Sequence, residues 1–285
     1  MNWLPMEKIN QDLPDGIKVY RERNTLMPLK AWYAEVDVSL QDMSVRVVHS
    51  PDTDRKETLS EFADNLNACI VVNGEYFIID KDHTDHVGLL MSNNIIHSPA
   101  ISSVLRGNTR YFLTRSALGI SDDNNIDIAW IASRNDSIFE WSDPVLNQQK
   151  LPHSSLDYSQ AVLWNVRDAF QAGPVLITDG KIKITLDDEV FFDSEIPNIH
   201  PRTAAGYTSD GKLILLVADG RQLASRGVYL EELAVMMKDL NCVEAINLDG
   251  GGSTGMVVNG TLLNKPSGTT NQREVMSAIA VFSQE

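Results

Sequence analysis

Short runs of alternating apolar and polar residues, separated by polar turns, make up much of this sequence. Two such runs lie at residues 32–39 ("WYAEVDVS") and 44–50 ("SVRVVHS"). A period of two is typical of β-strands that bury one face. Polar turns follow at 92–94, 121–125 and 178–181. The middle of the chain is therefore constrained to short strands joined by tight turns.

Three segments instead predict helices. Residues 229–241 carry apolar side chains at helical spacing, and residues 57–68 contain a Thr-x-x-Glu capping box. A third helix is predicted over residues 159–170. After it, an Asp-Gly pair within residues 173–186 predicts a β-hairpin.

Composition limits the class of protein. The 285 residues are 43% hydrophobic, enough for a sizeable core, and the net charge of −15 argues against a nucleic-acid partner or an anionic membrane surface. No apolar stretch is long enough to span a bilayer, and the N-terminus lacks the apolar core of a Sec signal. Cys69 and Cys242 are interpreted as reduced thiols. A cytoplasmic or virion- or phage-associated protein is expected.

Polar residues end four apolar runs, "VVNGEYF", "HPRTAAG", "LLVADGR" and "AINLDGGGST". Since sites gather where strands end, these residues are candidates for one pocket. They are Asn73, Glu75, His200, Arg202, Asp219, Arg221, Asn247 and Asp249. An internal echo supports the grouping, because residues 59–74 and 230–250 both read as a helix followed by a strand that ends at Asn. A duplicated unit of this kind would bring Asn73 and Asn247 together.

Three glycines, Gly250, Gly251 and Gly252, follow Asp249. Glycine loses the most backbone entropy on folding, so this run indicates either a close approach to the backbone or positive φ angles. We expect its N–H groups to form a nest for an anion, with the hydroxyls of Ser253 and Thr254 as further donors. No lysine follows the glycines, which excludes a nucleotide P-loop.

The segment 201–222 predicts a second hairpin, with Asp210-Gly211 as a two-residue turn. Counting outward from this turn places Arg202 across from Asp219. Two interpretations follow. The pair is either a surface salt bridge, which contributes little to stability, or part of a site in which the fork of Arg202 binds a phosphate.

The segment "DHTDH" carries His83, Asp85 and His86, which resemble a metal cluster but also fit a solvated polar loop. No cofactor is expected. A divalent cation such as calcium is the alternative that this segment leaves open.

The order of these motifs resembles the phosphodiester glycosidase family from about Cys69 to Phe282. The matching stretches are "NGEYF", "GPVLITDGKI", "HPRTAAGYTSDGKL", "DGRQ", "LEELA", "NLDGGGST" and "NKPSG…REV…AIAVF". The resemblance implies an α+β fold, with a mixed, strongly twisted β-sheet core and flanking helices. It makes residues 69–285 the catalytic domain, with residues 1–68 as poorly matched N-terminal strands and a helix that pack on the same core. Glu75 stands where the family usually has a small residue.

The resemblance also implies hydrolysis of the C–O bond between an anomeric carbon and a phosphodiester, which releases a free sugar and a phosphomonoester. Asp249, Asp219 and Glu75 are then the catalytic candidates, with Asp249 first because the glycine turn fixes its backbone. The substrate, a sugar-1-phosphodiester or phosphoglycan, would be bound by Asn73, His200, Arg202, Arg221, Asn247, Gly250, Gly251, Gly252, Ser253 and Thr254.

Two other classes of function fit some of these residues. A non-catalytic phosphoglycan-binding protein, for example of a virion or cell envelope, would keep the arginines and could lose Asp249 or Asp219. Both carboxylates remain, which favours an enzyme. A phosphodiesterase that cleaves the P–O bond usually needs a clear metal cluster, which the sequence does not show.

Overall fold

Antiparallel β-sheets form the body of this protein. The structure, a computed structural model, describes residues 1–22, 27–79, 84–268 and 272–283. The strands in chain order are β1 Trp3–Pro5, β2 Ile17–Glu22, β3 Ala31–Asp37, β4 Met43–His49, β5 Ile70–Asn73, β6 Phe77–Ile79, β7 Thr84–His86, β8 Leu90–Ser92, β9 Ile95–Ser98, β10 Ser103–Arg106, β11 Thr109–Phe112, β12 Arg115–Ile120, β13 Ile126–Arg134, β14 Ser137–Trp141, β15 Val162–Leu163, β16 Asp168–Gln171, β17 Val175–Thr178, β18 Lys181–Ile182, β19 Arg202–Thr208, β20 Lys212–Ala218, β21 Cys242–Asn247, β22 Met256–Val258, β23 Thr261–Leu262 and β24 Ser277–Ser283. The α-helices are α1 Glu7–Asn10, α2 Leu59–Leu66 and α3 Leu230–Asp239.

The strands form three large sheets and two separate hairpins. The sheet orders are β1-β2-β3-β20-β19-β21-β17-β18, β15-β14-β13-β12-β16-β8-β9 and β23-β22-β5-β24-β4, and the hairpins are β6-β7 and β10-β11. Strand β3 pairs with β20 and β4 with β24, so the first 68 residues share sheets with the rest of the chain. The fold is predominantly β, and the prediction of an α+β fold with flanking helices is confirmed only in part.

The predicted mixed sheet is wrong, because every strand pair in the described residues is antiparallel. Helix crossovers do connect strands that run in the same direction, but a third strand lies between them. Helix α2 links β4 to β5 on either side of β24, and α3 links β20 to β21 on either side of β19. The echo in the sequence is thus a repeated helix–strand unit, as predicted.

Both crossover helices begin where the sequence predicts. In α2, the Glu61 N–H donates to Thr58 Oγ1 at 3.2 Å and the Thr58 N–H donates to Glu61 Oε2 at 2.7 Å, which completes the capping box. Helix α2 buries Leu59 and Phe62 against the five-stranded sheet, and α3 buries its apolar side chains against the eight-stranded sheet. The longest helix, α3, has 10 residues, and no helix in the described ranges meets the length and apolarity that a bilayer span requires.

The largest core lies between the three sheets. Each sheet contributes fully buried side chains, among them Val217, Ile246, Val72, Ile279, Leu118 and Phe170. Burying a side chain of this size contributes about 1.5–3 kcal/mol relative to leaving it exposed. This packing fixes where strands β5 and β21 end and where β19 begins, and these positions carry the polar motifs.

The helix predicted over residues 159–170 is wrong. A 3₁₀ turn at Tyr158–Gln160 precedes β15, and the segment then ends in β16. Phe170 pairs with Leu118 on one side and with Leu90 on the other, so β16 is an interior strand. Burial and pairing on both edges outweigh the small differences in local propensity.

The hairpin predicted within residues 173–186 is confirmed. Strands β17 and β18 pair Thr178 with Lys181, and Asp179 and Gly180 between them have φ angles of 51° and 66°. Two positive φ angles define the type I′ turn that Asp-Gly favours.

Candidate active site

Asn73 ties the end of β5 to the turn that carries Asp249. Its Nδ2 donates to the Asp249 carbonyl at 2.6 Å, and its Oδ1 accepts from Thr203 Oγ1 at 2.6 Å and from the Gly255 N–H at 3.2 Å. These bonds occupy both ends of the amide. Asn73 therefore positions the turn, and its predicted contact with a sugar hydroxyl stays a prediction.

The glycine turn is held by the protein itself. The Gly250 N–H donates to Asp249 Oδ1 at 2.8 Å, and the Gly251 N–H donates to the Pro201 carbonyl at 3.0 Å. The predicted anion nest therefore does not form from these two N–H groups. Gly251 has a φ of 64°, and a Cβ at Gly250 would lie 2.6 Å from the Pro201 oxygen, so both positions need glycine.

Two exposed arginines pack on this turn. A Cβ at Gly251 would lie 3.2 Å from Arg221 Nη1, and a Cβ at Gly252 would lie 2.9 Å from Arg273 Cζ. The absence of side chains on the turn thus gives room to two guanidinium groups. Arg221 was among the predicted site residues, whereas Arg273 was missed. The sequence singles out Arg273 only through its place in the "REV" stretch that resembles the family. An exposed arginine follows no periodicity or turn pattern from which a role in a site could be predicted.

Asp249 is the carboxylate beside these arginines. Burial raises its pKa to about 6. Ser253, the Gly250 N–H and Arg273 act in the opposite direction because they favour the charged form, whereas Glu75 adds to the increase. Two carboxyl groups therefore interact within one buried site.

Glu75 is the second of these groups, and it is only 3% exposed. Its Oε1 is in close contact with Nδ1 of His86, whose backbone is held by the β6–β7 pairing of Phe77 with His86. Burial raises the pKa of Glu75, and His86 opposes that increase. His86 is thus the partner of a buried carboxyl group.

The predicted metal candidates separate in the fold. Asp85 and His86 are neighbours on β7 and so face opposite sides. Asp85 forms an ion pair with Arg55 at 3.2 Å, while His86 contacts Glu75. His83 lies outside the described residues, and those residues contain no group of three or more His, Cys, Asp or Glu side chains able to hold a metal ion.

Three oxygens on residues near Asp249 are buried and have no hydrogen-bond partner in the part of the chain that the structure describes. They are Glu75 Oε2, Asn247 Oδ1 and Thr254 Oγ1. Nδ2 of Asn247 donates to Tyr76 Oη at 2.7 Å and to the Gly173 carbonyl at 2.9 Å, which leaves its Oδ1 for another partner. Buried polar atoms normally have partners, so this oxygen cluster is a candidate for contact with a polar ligand.

Arg202 does not pair with Asp219. The turn between β19 and β20 has three residues, Ser209 to Gly211, and the observed register pairs Arg202 with Ala218. This one-residue shift relative to the predicted register places Arg202 and Asp219 on opposite faces of the sheet, because side chains alternate along a strand. The predicted pair is wrong.

The guanidinium of Arg202 binds backbone instead. Its Nη2 donates to the carbonyls of Ile196 and Asn198 at 2.7 and 2.6 Å, and its Nε donates to Val228 O at 3.3 Å. The residue is 2% exposed. Through these bonds Arg202 holds the segment before β19 against the start of that strand, which is a structural role.

Asp219 is also used structurally. Its carboxylate accepts from Asn264 Nδ2 at 3.0 Å and from the Lys265 N–H at 3.1 Å. Burial raises its pKa, and these bonds act in the opposite direction. We therefore remove Asp219 from the catalytic candidates and retain Asp249 and Glu75.

Replacing Arg202 with Ala is expected to lower the free energy of unfolding by about 2–4 kcal/mol, because three carbonyls lose their donor in a buried setting. Urea unfolding monitored by circular dichroism measures the change. Arg110→Ala, which removes an exposed side chain bonded to Ser103, is the control and should change stability by less than about 0.5 kcal/mol. Unchanged stability of the Arg202 variant would contradict the structural role.

A surface recess of about 990 Å³ lies apart from this polar cluster. It is lined by residues such as Arg21, Met27, Leu29 and Trp32. We place the site by its chemistry, because the buried carboxyls, the unpartnered oxygens and the packed arginines all lie around Asp249.

Comparison with protein families gives the relationship of this chain. The family model described as phosphodiester glycosidase matches residues 66–282. The chain belongs to the phosphodiester glycosidase family. Membership of the family indicates an enzyme of the glycosidase type, and the matched region includes every residue of the candidate site.

Curated proteins similar to this family member match over part of their length. The mouse N-acetylglucosamine-1-phosphodiester alpha-N-acetylglucosaminidase is 40% identical over 108 residues, which cover 37% of this chain and 20% of the mouse protein. An SPbeta prophage-derived uncharacterized protein of Bacillus subtilis strain 168 is 35% identical over 101 residues, covering 35% of this chain and 15% of that protein. The matches thus span a fifth or less of these two relatives.

A solved structure supports the family fold. The zebrafish N-acetylglucosamine-1-phosphodiester alpha-N-acetylglucosaminidase catalytic domain, auto-inhibited by its pro-peptide, superimposes with a TM-score of 0.64 at 22% identity. The alignment covers 96% of this chain and 85% of that chain. At this identity the likeness concerns the fold.

Proposed function

We propose that this protein hydrolyses the C–O bond between the anomeric carbon of a sugar and a phosphodiester, releasing a free sugar and a phosphomonoester. The observation that carries the proposal is the buried Asp249 carboxyl group beside two guanidinium groups packed on the glycine turn. This combination provides a group to act at the sugar carbon and cations to bind the departing phosphate.

Arg221 and Arg273 are proposed to bind the phosphate. Guanidinium groups bind phosphate oxygens through paired N–H donors, and both arginines are exposed beside the turn. A phosphomonoester leaves with little need for protonation, so stabilising its charge can replace a strong general acid. The phosphate-binding role predicted for Arg202 passes to this pair.

Asp249 is proposed to act at the anomeric carbon, either as the nucleophile or as the base that activates water. Glu75, in contact with His86, is the second carboxyl group, and burial raises its pKa, which favours the protonated form that a general acid needs. The unpartnered oxygens of Asn247 and Thr254 are proposed to bind sugar hydroxyls.

Hydrolysis in ¹⁸O-labelled water of a panel of sugar-1-phosphodiesters, including nucleotide sugars, tests this function. Attack at the anomeric carbon is expected to place the label in the released sugar. Mass spectrometry of both products measures its position. The Asp249→Asn variant serves as the control for contaminating hydrolases.

Two outcomes would contradict the proposal. Label in the phosphate would indicate P–O cleavage, the chemistry of an ordinary phosphodiesterase. Binding of a phosphoglycan without turnover of any member of the panel would support the non-catalytic binding protein instead.

A further inference from the structure

The ring of His200 lies between a backbone carbonyl and the guanidinium of Arg221. Its Nε2 is 2.7 Å from the carbonyl oxygen of Glu195, and its Nδ1 is 2.8 Å from Arg221 Nη2. Both distances are those of good hydrogen bonds. His200 thus joins the segment before β19 to an arginine on the glycine turn.

These two contacts determine the protonation state of the ring. A carbonyl oxygen only accepts, so Nε2 must carry a hydrogen, whereas a guanidinium nitrogen only donates, so Nδ1 must be the unprotonated acceptor. A histidine satisfies both partners only in its neutral form with the hydrogen on Nε2. Protonation at Nδ1 would place its N–H donor against the N–H donor of Arg221 and break the hydrogen bond.

The surroundings favour this neutral form. Burial lowers the pKa of His200 from its usual 6.5, and the positive charges of Arg202 and Arg221 lower it further. The Glu195 backbone bond and the Glu195 charge act in the opposite direction.

The backbone holds both partners in place. His200 and Val228 exchange two backbone hydrogen bonds, at 3.3 and 3.0 Å. Arg221 has a φ of 56°, which is unusual for a residue with a side chain, and its N–H donates to the Arg226 carbonyl at 3.2 Å. With the backbone fixed, the contact with His200 restricts the orientation of the Arg221 guanidinium.

We propose that His200 is a positioning residue, which in its neutral form holds Arg221 against Gly251 in the orientation that binds phosphate. The inference rests on the proposed role of Arg221 in the site. It follows that acidification releases Arg221 and weakens anion binding, even though it adds a positive charge nearby.

Sulfate binding between pH 5 and pH 8, measured by isothermal titration calorimetry, tests this inference without turnover. The charge of sulfate is constant over this range. Relative to a His200→Gln variant, the wild-type affinity is expected to fall by about tenfold on acidification, the contribution of one charge-assisted hydrogen bond. Turnover, by contrast, should fall as pH drops below about 6 through protonation of Asp249, which is a separate effect on kcat.

Two variants separate positioning from general structure. His200→Gln keeps a donor for Glu195 and an acceptor for Arg221 but does not titrate, so its sulfate affinity should be within about twofold of wild type at pH 8 and about tenfold higher than wild type at pH 5. Titration of Asp249 affects both proteins and cancels in this comparison. His200→Ala loses both contacts and should bind about tenfold more weakly than His200→Gln at every pH. Melting temperatures establish that each variant is folded.

Several results would overturn the inference. These are a ratio of wild-type to His200→Gln affinity that stays constant or rises between pH 8 and pH 5, and the absence of sulfate binding at any pH. Failure of sugar-1-phosphodiester hydrolysis alongside the expected sulfate pattern would instead refute the proposed reaction and leave the positioning role of His200 in place.

Discussion

Asp249→Asn is expected to lower kcat by at least roughly 10²-fold with the fold intact, because the amide can act neither as a nucleophile nor as a base. The substitution is close to isosteric, and the new Oδ1 can still accept the Gly250 N–H that Asp249 accepts at 2.8 Å. Steady-state kinetics on the best sugar-1-phosphodiester of the panel measures the loss. Near-normal turnover would move the essential role to Glu75.

The matched control for this variant is Asp219→Asn. Asp219 is also buried and its pKa is also raised by burial, but its carboxylate binds Asn264 and Lys265 outside the oxygen cluster. Its kcat is expected to stay within about threefold of wild type, because no reacting group is removed. A large loss in both variants would show that the assay reports on folding.

Stability should change in the opposite direction to activity. The pKa of Asp249 is about 6 in the folded protein, above its ordinary value of 3.8, so the folded state binds the extra proton between these values and loses stability as pH rises through them. Asp249→Asn removes this buried charge. At pH 8 its free energy of unfolding should equal or exceed that of the wild-type protein, which urea unfolding can measure.

Arg221→Lys and Arg273→Lys are each expected to lower kcat/KM by about tenfold or more, since lysine keeps the charge but loses the planar fork of donors. Replacing both with Ala should cost more than either change alone. Both side chains are exposed, so melting temperatures should change little.

The control for charge alone is Arg110→Lys, an exposed arginine bonded to Ser103, which should leave kcat/KM unchanged. If Arg221 and Arg273 bind the same phosphate, the losses of the two single Ala variants should not add in the double variant. Small and strictly additive losses of kcat/KM would show that the two arginines act only through the long-range electrostatic potential of their charges.

Several local features were predictable because they depend on neighbouring residues. The capping box of Thr58 and Glu61 starts α2, and the Asp179-Gly180 turn joins β17 to β18, as expected. Asp249 and Arg221 lie shortly after the ends of the buried strands β21 and β20, as expected, and their roles stay predictions. In these cases the physical determinants, a cap, a turn or a strand end, lie within a few residues of one another.

The hairpin of β19 and β20 shows where such reasoning fails. A two-residue turn and a three-residue turn are both compatible with its sequence, and the structure has the second, with Gly211 at a φ of 81°. Both strands also pair with other strands, so their register is set by the whole sheet. A shift of one residue turned Arg202 away from Asp219 and toward the carbonyls of Ile196 and Asn198.

The sequence by itself determined the strand-rich class, the crossover helices and the turn that carries Asp249. The tertiary structure decided the rest of the site: the contact of His86 with Glu75, the packing of Arg273 on Gly252, and the placement of His200 against Arg221. None of these three contacts lies within one turn or one helical repeat. They form when separate segments meet, and since side chains alternate along a strand, a one-residue change in pairing would reverse which of them face the site.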